Sequence, residues 1–157
     1  MTDYKLEDPV KWVVDSNLSL IRSIPACKLN TYDFDGVIYL NENVEGVNPG
    51  HNDLVITGRS FEEAERVEGR LRARNLHNTV FFNPRPKLGR SRETSGEHKA
   101  AILRELLNNG FVIGAHFEDD EIQIEIIRRL VPEVPTVHFV HELTPKDFRK
   151  KSSIPHW

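Results

Sequence analysis

Five short runs rich in β-branched and aromatic residues alternate along this chain with stretches whose apolar residues fall three and four apart. The runs at 29–34, 53–57, 79–83 (TVFFN), 111–117 (FVIGAHF) and 136–140 (TVHFV) read as strands. Between them, Ala64, Val67 and Leu71, then Ile102, Leu103, Leu106 and Leu107, then Ile122, Ile126, Ile127 and Leu130, mark the inner stripes of helices. Asp8 and Pro9 open a further helix over about 9–22, with Val10, Val13, Val14, Asn17 and Ile21 on one side. Ser60 with Glu63 and Thr94 with Glu97 have the capping-box spacing, and Gly110 supplies a stop. Strands that alternate with helices are joined by crossovers. The expected fold is therefore α/β, a three-layer Rossmann-like arrangement with a central, mainly parallel sheet and helices on both faces.

A chain of 157 residues is long enough for one continuous core, so a single domain over 1–157 is expected, with its core at about 28–140 and a basic tail at 143–157. The net charge of −3 excludes a globally basic surface, so any anionic partner must be met by a local patch. The lone Cys27 forms no internal disulfide, no window has the roughly 20 apolar residues that span a bilayer, and the start MTDYKLEDP lacks the pattern of a secretory signal. A cytoplasmic protein without membrane contact is expected, of unknown oligomeric state.

In an open parallel sheet ligands gather at the carboxyl ends of the strands. The first strand ends in Asp33 and Asp35, the second in Thr57, Gly58 and Arg59, and the fourth in Asp119 and Asp120. Four carboxylates in one cleft would raise each other's pKa unless a cation neutralised them, and a hard divalent ion with oxygen ligands, Mg²⁺, is the expected answer. Lys99, near the start of its helix, adds a point charge for an anion, Thr57 adds a hydroxyl, and Gly58 lets the backbone come close. Singly, each feature has a plainer explanation: Asp119 or Asp120 as a helix cap, Lys99 as a solvated lysine, Thr57–Gly58–Arg59 as a turn, Asp33 and Asp35 as loop residues beyond a strand that ends early. Jointly they recur at the same end of successive βα units.

Those residues resemble the four motifs of the haloacid dehalogenase superfamily of phosphohydrolases: Asp33-Phe34-Asp35-Gly36-Val37, LVIT ending in Thr57, Lys99, and FEDD with Asp119 and Asp120. Lys87 competes less well with Lys99, because no helix follows it directly. The resemblance implies that Asp33 is the nucleophile, forming an aspartyl phosphate, and that Asp35 is the general acid and base. It further implies that Mg²⁺ is held by Asp33, the Asp35 backbone carbonyl and Asp119 or Asp120, and that Thr57 and Lys99 stabilise the transferring group. The second aspartate of the first motif favours phosphoryl transfer over dehalogenation.

Members with a large cap insert it after the first motif or after the third strand. Here 21 residues lie between Asp35 and Thr57, room for a hairpin flap, and the second position holds only the loop at 84–95. A nearly uncapped site is expected, which implies phosphate groups carried by macromolecules or a lid from a partner subunit. The second loop carries Arg85, Lys87, Arg90 and Arg92 with one nearby acid, Glu93, a cationic strip suited to a sugar-phosphate backbone or else simply a solvated loop. The stretch from this loop to 134 is similar to the 3′-phosphatase domain of phage-type polynucleotide kinases, while no Gly-x-x-x-x-Gly-Lys-Ser/Thr phosphate loop exists for a kinase half. Three functions remain open: removal of terminal 3′ phosphates from DNA or RNA, hydrolysis of small phosphometabolites, nucleotides or phosphoproteins, and a binding module on the same fold without turnover. The first helix is expected to pack on the core rather than to form a dimer surface, and His116 to be a satisfied interior residue.

Overall fold

The computed structural model describes residues 9–21 and 28–144. The expected cap Asp8, Cys27 and the basic tail from 145 lie outside them. Along the chain run α1 (Pro9–Ile21), β1 (Leu29–Tyr32), β2 (Tyr39–Asn41), β3 (Val44–Glu45), β4 (Leu54–Ser60), a 3₁₀ turn (Phe61–Glu63), α2 (Ala64–Arg72), β5 (Val80–Asn83), α3 (Arg92–Asn108), β6 (Ile113–Glu118), α4 (Glu121–Leu130) and β7 (Thr136–His138). Five strands form one sheet in the order β5-β4-β1-β6-β7, and every pairing is parallel. The strand order reverses at β1: the chain adds β4 and β5 on one side, then returns to place β6 and β7 on the other. Such a reversal leaves a crevice at the strand ends, where the side chains following β1 and β6 meet.

Alternation along the strands builds two cores. Leu54, Ile56 and Phe81 pack on one face with Val13, Val14 and Ile21 of α1, Ile102, Leu103 and Leu106 of α3, and Ile127 of α4. Val55, Val80 and Phe82 point to the other face, against Val67 and Leu71 of α2 and Phe34, Ile38 and Tyr39 before and in the β2–β3 hairpin. The first helix is thus part of the core, as expected from its spacing. The segment at 36–53 forms an antiparallel hairpin flap and no cap domain. Two arginines of the α2 region tie this flap down. Arg74 donates to the carbonyls of Ile38 and Val47, and Arg70 donates to that of Glu42 (2.7 Å) while its guanidinium lies 4.1 Å from the Tyr39 ring centre.

Of the boundaries that differ from the expectation, three bear on the site. β4 continues through Ser60, whose hydroxyl meets Glu62 Oε1 (3.3 Å) and caps nothing, so a 3₁₀ turn precedes α2. The Lys99 helix begins at Arg92 instead of after Thr94: Ser91 is the N-cap, its hydroxyl accepts from Thr94 N–H, and Thr94 Oγ1 accepts in return from Ser91 N–H. β1 ends at Tyr32, so Asp33 stands just beyond it.

Two histidines lie in the interior with no exposure, His98 on α3 and His116 on β6. His116 Nδ1 is 2.7 Å from Thr31 Oγ1 on the paired strand, which makes it the satisfied interior residue anticipated. Burial, with the nearby Lys99 charge, pushes both down to about 3. The folded values are depressed, so below the unfolded value near 6.5 the unfolded chain takes up protons that the native protein refuses, and stability falls with pH. Between pH 6 and 5 each histidine contributes a slope of up to about 1.4 kcal/mol per unit. His98→Leu should lower the measured slope of unfolding free energy against pH by about that amount; an unchanged slope contradicts this account.

Candidate functional site

β1 and β6 are paired with Tyr32 opposite Phe117, and the Asp33 N–H donates to the Phe117 carbonyl at 3.0 Å. That register brings Asp33 beside Glu118, the last residue of β6, and Asp119 follows. Oxygen atoms of Asp33, Glu118 and Asp119 all lie within 4.8 Å of one another. Lys99 of α3 reaches between two of them, its Nζ 2.9 Å from Asp33 Oδ1 and 2.8 Å from Glu118 Oε1. The lysine is 1% exposed and Glu118 fully buried.

Electrostatics follow from that burial. Desolvation, then the Glu118 charge, pushes the Asp33 carboxyl well above its ordinary value, with Lys99 opposing. Glu118 is raised by desolvation too, again against Lys99. Desolvation would lower Lys99, but the attraction of Asp33 and Glu118 outweighs it and holds the ammonium more firmly protonated than usual. His116 Nε2 sits 3.3 Å from Glu118 Oε1, and since burial keeps the ring neutral this contact is a hydrogen bond rather than an ion pair. Glu118 Oε2 is buried and meets no hydrogen-bond donor among the described residues.

Three carboxylates against one ammonium, one carboxylate oxygen left without a partner, and an all-oxygen donor set together suit a hard cation; the cluster can hold a metal ion. Gly36 is what lets Asp119 come so close. Its φ is +88°, and a Cβ there would fall 2.1 Å from Asp119 Oδ2. From the segment after β7, His141 Nε2 donates to the Gly36 carbonyl at 2.6 Å and lies 3.9 Å from Asp119 Oδ2.

Asp35, two residues beyond Asp33, is also buried, and both of its oxygens are held by Arg59: Nε to Oδ2 at 2.8 Å and Nη2 to Oδ1 at 2.7 Å. Thr57 is fully buried, and its hydroxyl accepts from the Arg59 N–H at 3.1 Å. The β4–β5 register shifts between Ile56 and Ser60, an irregularity that leaves Gly58 and Arg59, and not Thr57, lining the pocket with Asp33, Asp35, Lys99 and Asp119. Gly58 serves a neighbour more than a ligand: a Cβ on it would meet Ser95 Oγ of α3 at 2.6 Å.

The two acids of the FEDD stretch part company. Asp119 joins the cluster, while Asp120 caps α4, accepting from the Ile122 N–H at 2.9 Å, and is gripped by Arg92 through Nε (2.7 Å) and Nη2 (2.9 Å). Arg92 therefore belongs to the scaffold and not to an exposed strip. Arg90 likewise turns inward onto Glu63, with contacts of 2.8 and 3.3 Å and a side chain 4% exposed. Burial would raise Glu63, but Arg90, with Arg59 and Lys87, brings it below its ordinary value. Of the four basic residues in the loop, Arg85 and Lys87 are exposed, and Lys87 Nζ is 3.5 Å from Glu63. The strip is shorter than the local sequence implies, because Glu62 and Glu63 approach it from another element.

Compared with protein-family models, curated proteins and solved structures, the chain matches none of them.

The division between the acids has a direct test. Asp120→Ala removes both a cap and the partner of a half-buried arginine and should lower stability by about 2–4 kcal/mol in denaturant unfolding. Asp119→Asn should leave that stability within about 1 kcal/mol of wild type yet abolish saturable binding of a divalent cation measured by calorimetry. The reverse pattern would assign the residues the other way round.

Proposed function

We propose that the protein is a Mg²⁺-dependent phosphomonoester hydrolase of the haloacid dehalogenase type, working through an aspartyl phosphate. What supports this most is the assembly of Asp33, Glu118, Asp119 and Lys99, drawn from three elements, in one buried cluster at the carboxyl edge of a parallel sheet. Asp33, Glu118 and Asp119 would hold the ion, Glu118 in place of the Asp120 side chain. When bound, it offsets the repulsion between the nucleophile and a phosphate dianion and keeps the Asp33 carboxylate ionised.

In the first step an Asp33 oxygen attacks phosphorus, the bond from phosphorus to the ester oxygen breaks, and the departing oxygen takes a proton from Asp35. In the second, Asp35 removes a proton from water, the water oxygen bonds to phosphorus, and the bond to Asp33 breaks to release inorganic phosphate. Asp35 is engaged by Arg59 at both oxygens; a phosphate monoester arriving as its monoanion competes for that guanidinium and passes Asp35 the proton that the departing oxygen then takes. Lys99 fixes the Asp33 carboxylate in the position of attack.

The open edge favours a phosphate at the end of a large molecule. The flap is a hairpin pinned to the α2 region, and Arg85 and Lys87 stand exposed on the loop beside the pocket. We read the substrate as the terminal 3′ phosphate of DNA or RNA, met in the cytoplasm.

Release of phosphate from a 3′-phosphorylated oligonucleotide should require Mg²⁺ and vanish in Asp33→Asn. With two backbone contacts to a single strand, log(kcat/KM) should fall against log(salt) with a slope of about −1.4, and Arg85→Glu with Lys87→Glu should flatten it. Equal turnover of free nucleotides or sugar phosphates, indifferent to those two reversals, would move the substrate to small metabolites. Wild-type activity no higher than that of Asp33→Asn would leave a binding module.

A further inference from the structure

Each cation on the pocket wall is already committed to a carboxylate: Lys99 to Asp33 and Glu118, Arg59 to Asp35, and Arg90, through its two terminal nitrogens, to Glu63. Two buried donors on the same wall have no hydrogen-bond partner among the described residues, Ser95 Oγ and Arg90 Nε. Ser95 is 2% exposed and the Arg90 side chain 4%. A hydroxyl and a guanidinium N–H taken out of water and left unpaired are costly, and a native protein retains such groups where something else completes them.

The fold goes to some length to put Ser95 there. It lies in the first turns of α3, one turn before Lys99, and its hydroxyl rests over Gly58 at a distance that no other residue at 58 would permit. An unpaired hydroxyl and an unpaired guanidinium N–H, on the wall that also carries Asp33 and its lysine, suit the oxygens of an anion.

We propose that Ser95 and Arg90 form the subsite for the non-bridging oxygens of the phosphoryl group, Ser95 through its hydroxyl and Arg90 through Nε while its terminal nitrogens stay on Glu63. This rests on the hydrolase reading for the identity of the anion. It adds two phosphate-contacting residues, one of which, Ser95, no sequence motif indicates. Arg90 then acts as an inward ligand for the phosphate being transferred, and not as part of a track for the polymer.

The test uses the full chain at fixed Mg²⁺, with inorganic phosphate as the probe in calorimetry and a 3′-phosphorylated oligonucleotide in turnover. Ser95→Ala keeps the Cβ that packs on Gly58, and Arg90→Lys keeps the charge facing Glu63. Each should weaken phosphate binding, and lower kcat/KM, by about tenfold or more. The thermal midpoint of Ser95→Ala should be unchanged or higher, since an unpartnered buried hydroxyl is removed; a merely structural hydroxyl would lower it. Wild-type phosphate affinity in both variants, a loss of affinity matched by a loss of thermal stability, or no phosphate binding by the wild type each overturns the proposal. Phosphate binding that depends on Ser95 and Arg90 in a protein that hydrolyses no phosphomonoester would uphold the subsite while refuting the hydrolase reading, whereas full turnover by both variants would do the opposite.

Discussion

A lysine ammonium buried between two carboxylates holds this site together. Lys99 Nζ is within 3 Å of both Asp33 and Glu118, and neither acid has appreciable contact with solvent. Withdrawing such charges from water is costly, and their mutual attraction repays it only with short, well-directed contacts. The trio therefore requires a rigid frame, which is supplied by the two central strands and by α3, itself packed on α1 and α4 through the larger core. Removing the lysine would leave two facing carboxylates in an apolar interior, a worse state than either the native trio or an uncharged replacement of all three.

The remaining charges repeat that logic in pairs. Arg59 takes both oxygens of Asp35, Arg92 both of Asp120, and Arg90 both of Glu63. Planar forks suit this work, since two parallel bonds fix orientation as well as distance. The consequence is a pocket dense in charge yet largely compensated, with the shortfall concentrated on Asp33, Glu118 and Asp119. That shortfall suits a cation, and the unmet donors of Ser95 and Arg90 are the ones we propose for an anion.

Much of this was legible in the residues alone, for identifiable reasons. Periodicity places the strands and helices because apolar spacing is imposed by the sheet and helix geometries, and the same end of each strand collects Asp33, Asp35, Asp119 and Lys99. Glu118 was missed because it reads as the flank of an apolar strand. The signal was present: a carboxylate two residues after His116 shares its face of a buried strand, and buried charge needs a partner. Arg90 and Arg92 read as a free strip because their acids, Glu63 and Asp120, are 27 and 28 residues away along the chain. The start of α3 was set three residues late because Ser-x-x-Thr closes the same reciprocal cap as Thr-x-x-Glu, and only tertiary contact, here Arg92 on Asp120, decides between them.

That distant acids share one cation with Asp33, the proposed nucleophile, is the claim from which the chemistry follows. Crystals grown with Mn²⁺ and measured at its absorption edge address it most directly, because anomalous scattering locates the ion without reference to activity. The account predicts a single strong peak within about 2.0–2.3 Å of oxygens from Asp33, Asp119 and Glu118. A protein saturated with Mn²⁺ and lacking that peak, or bearing it away from Asp33, would contradict it.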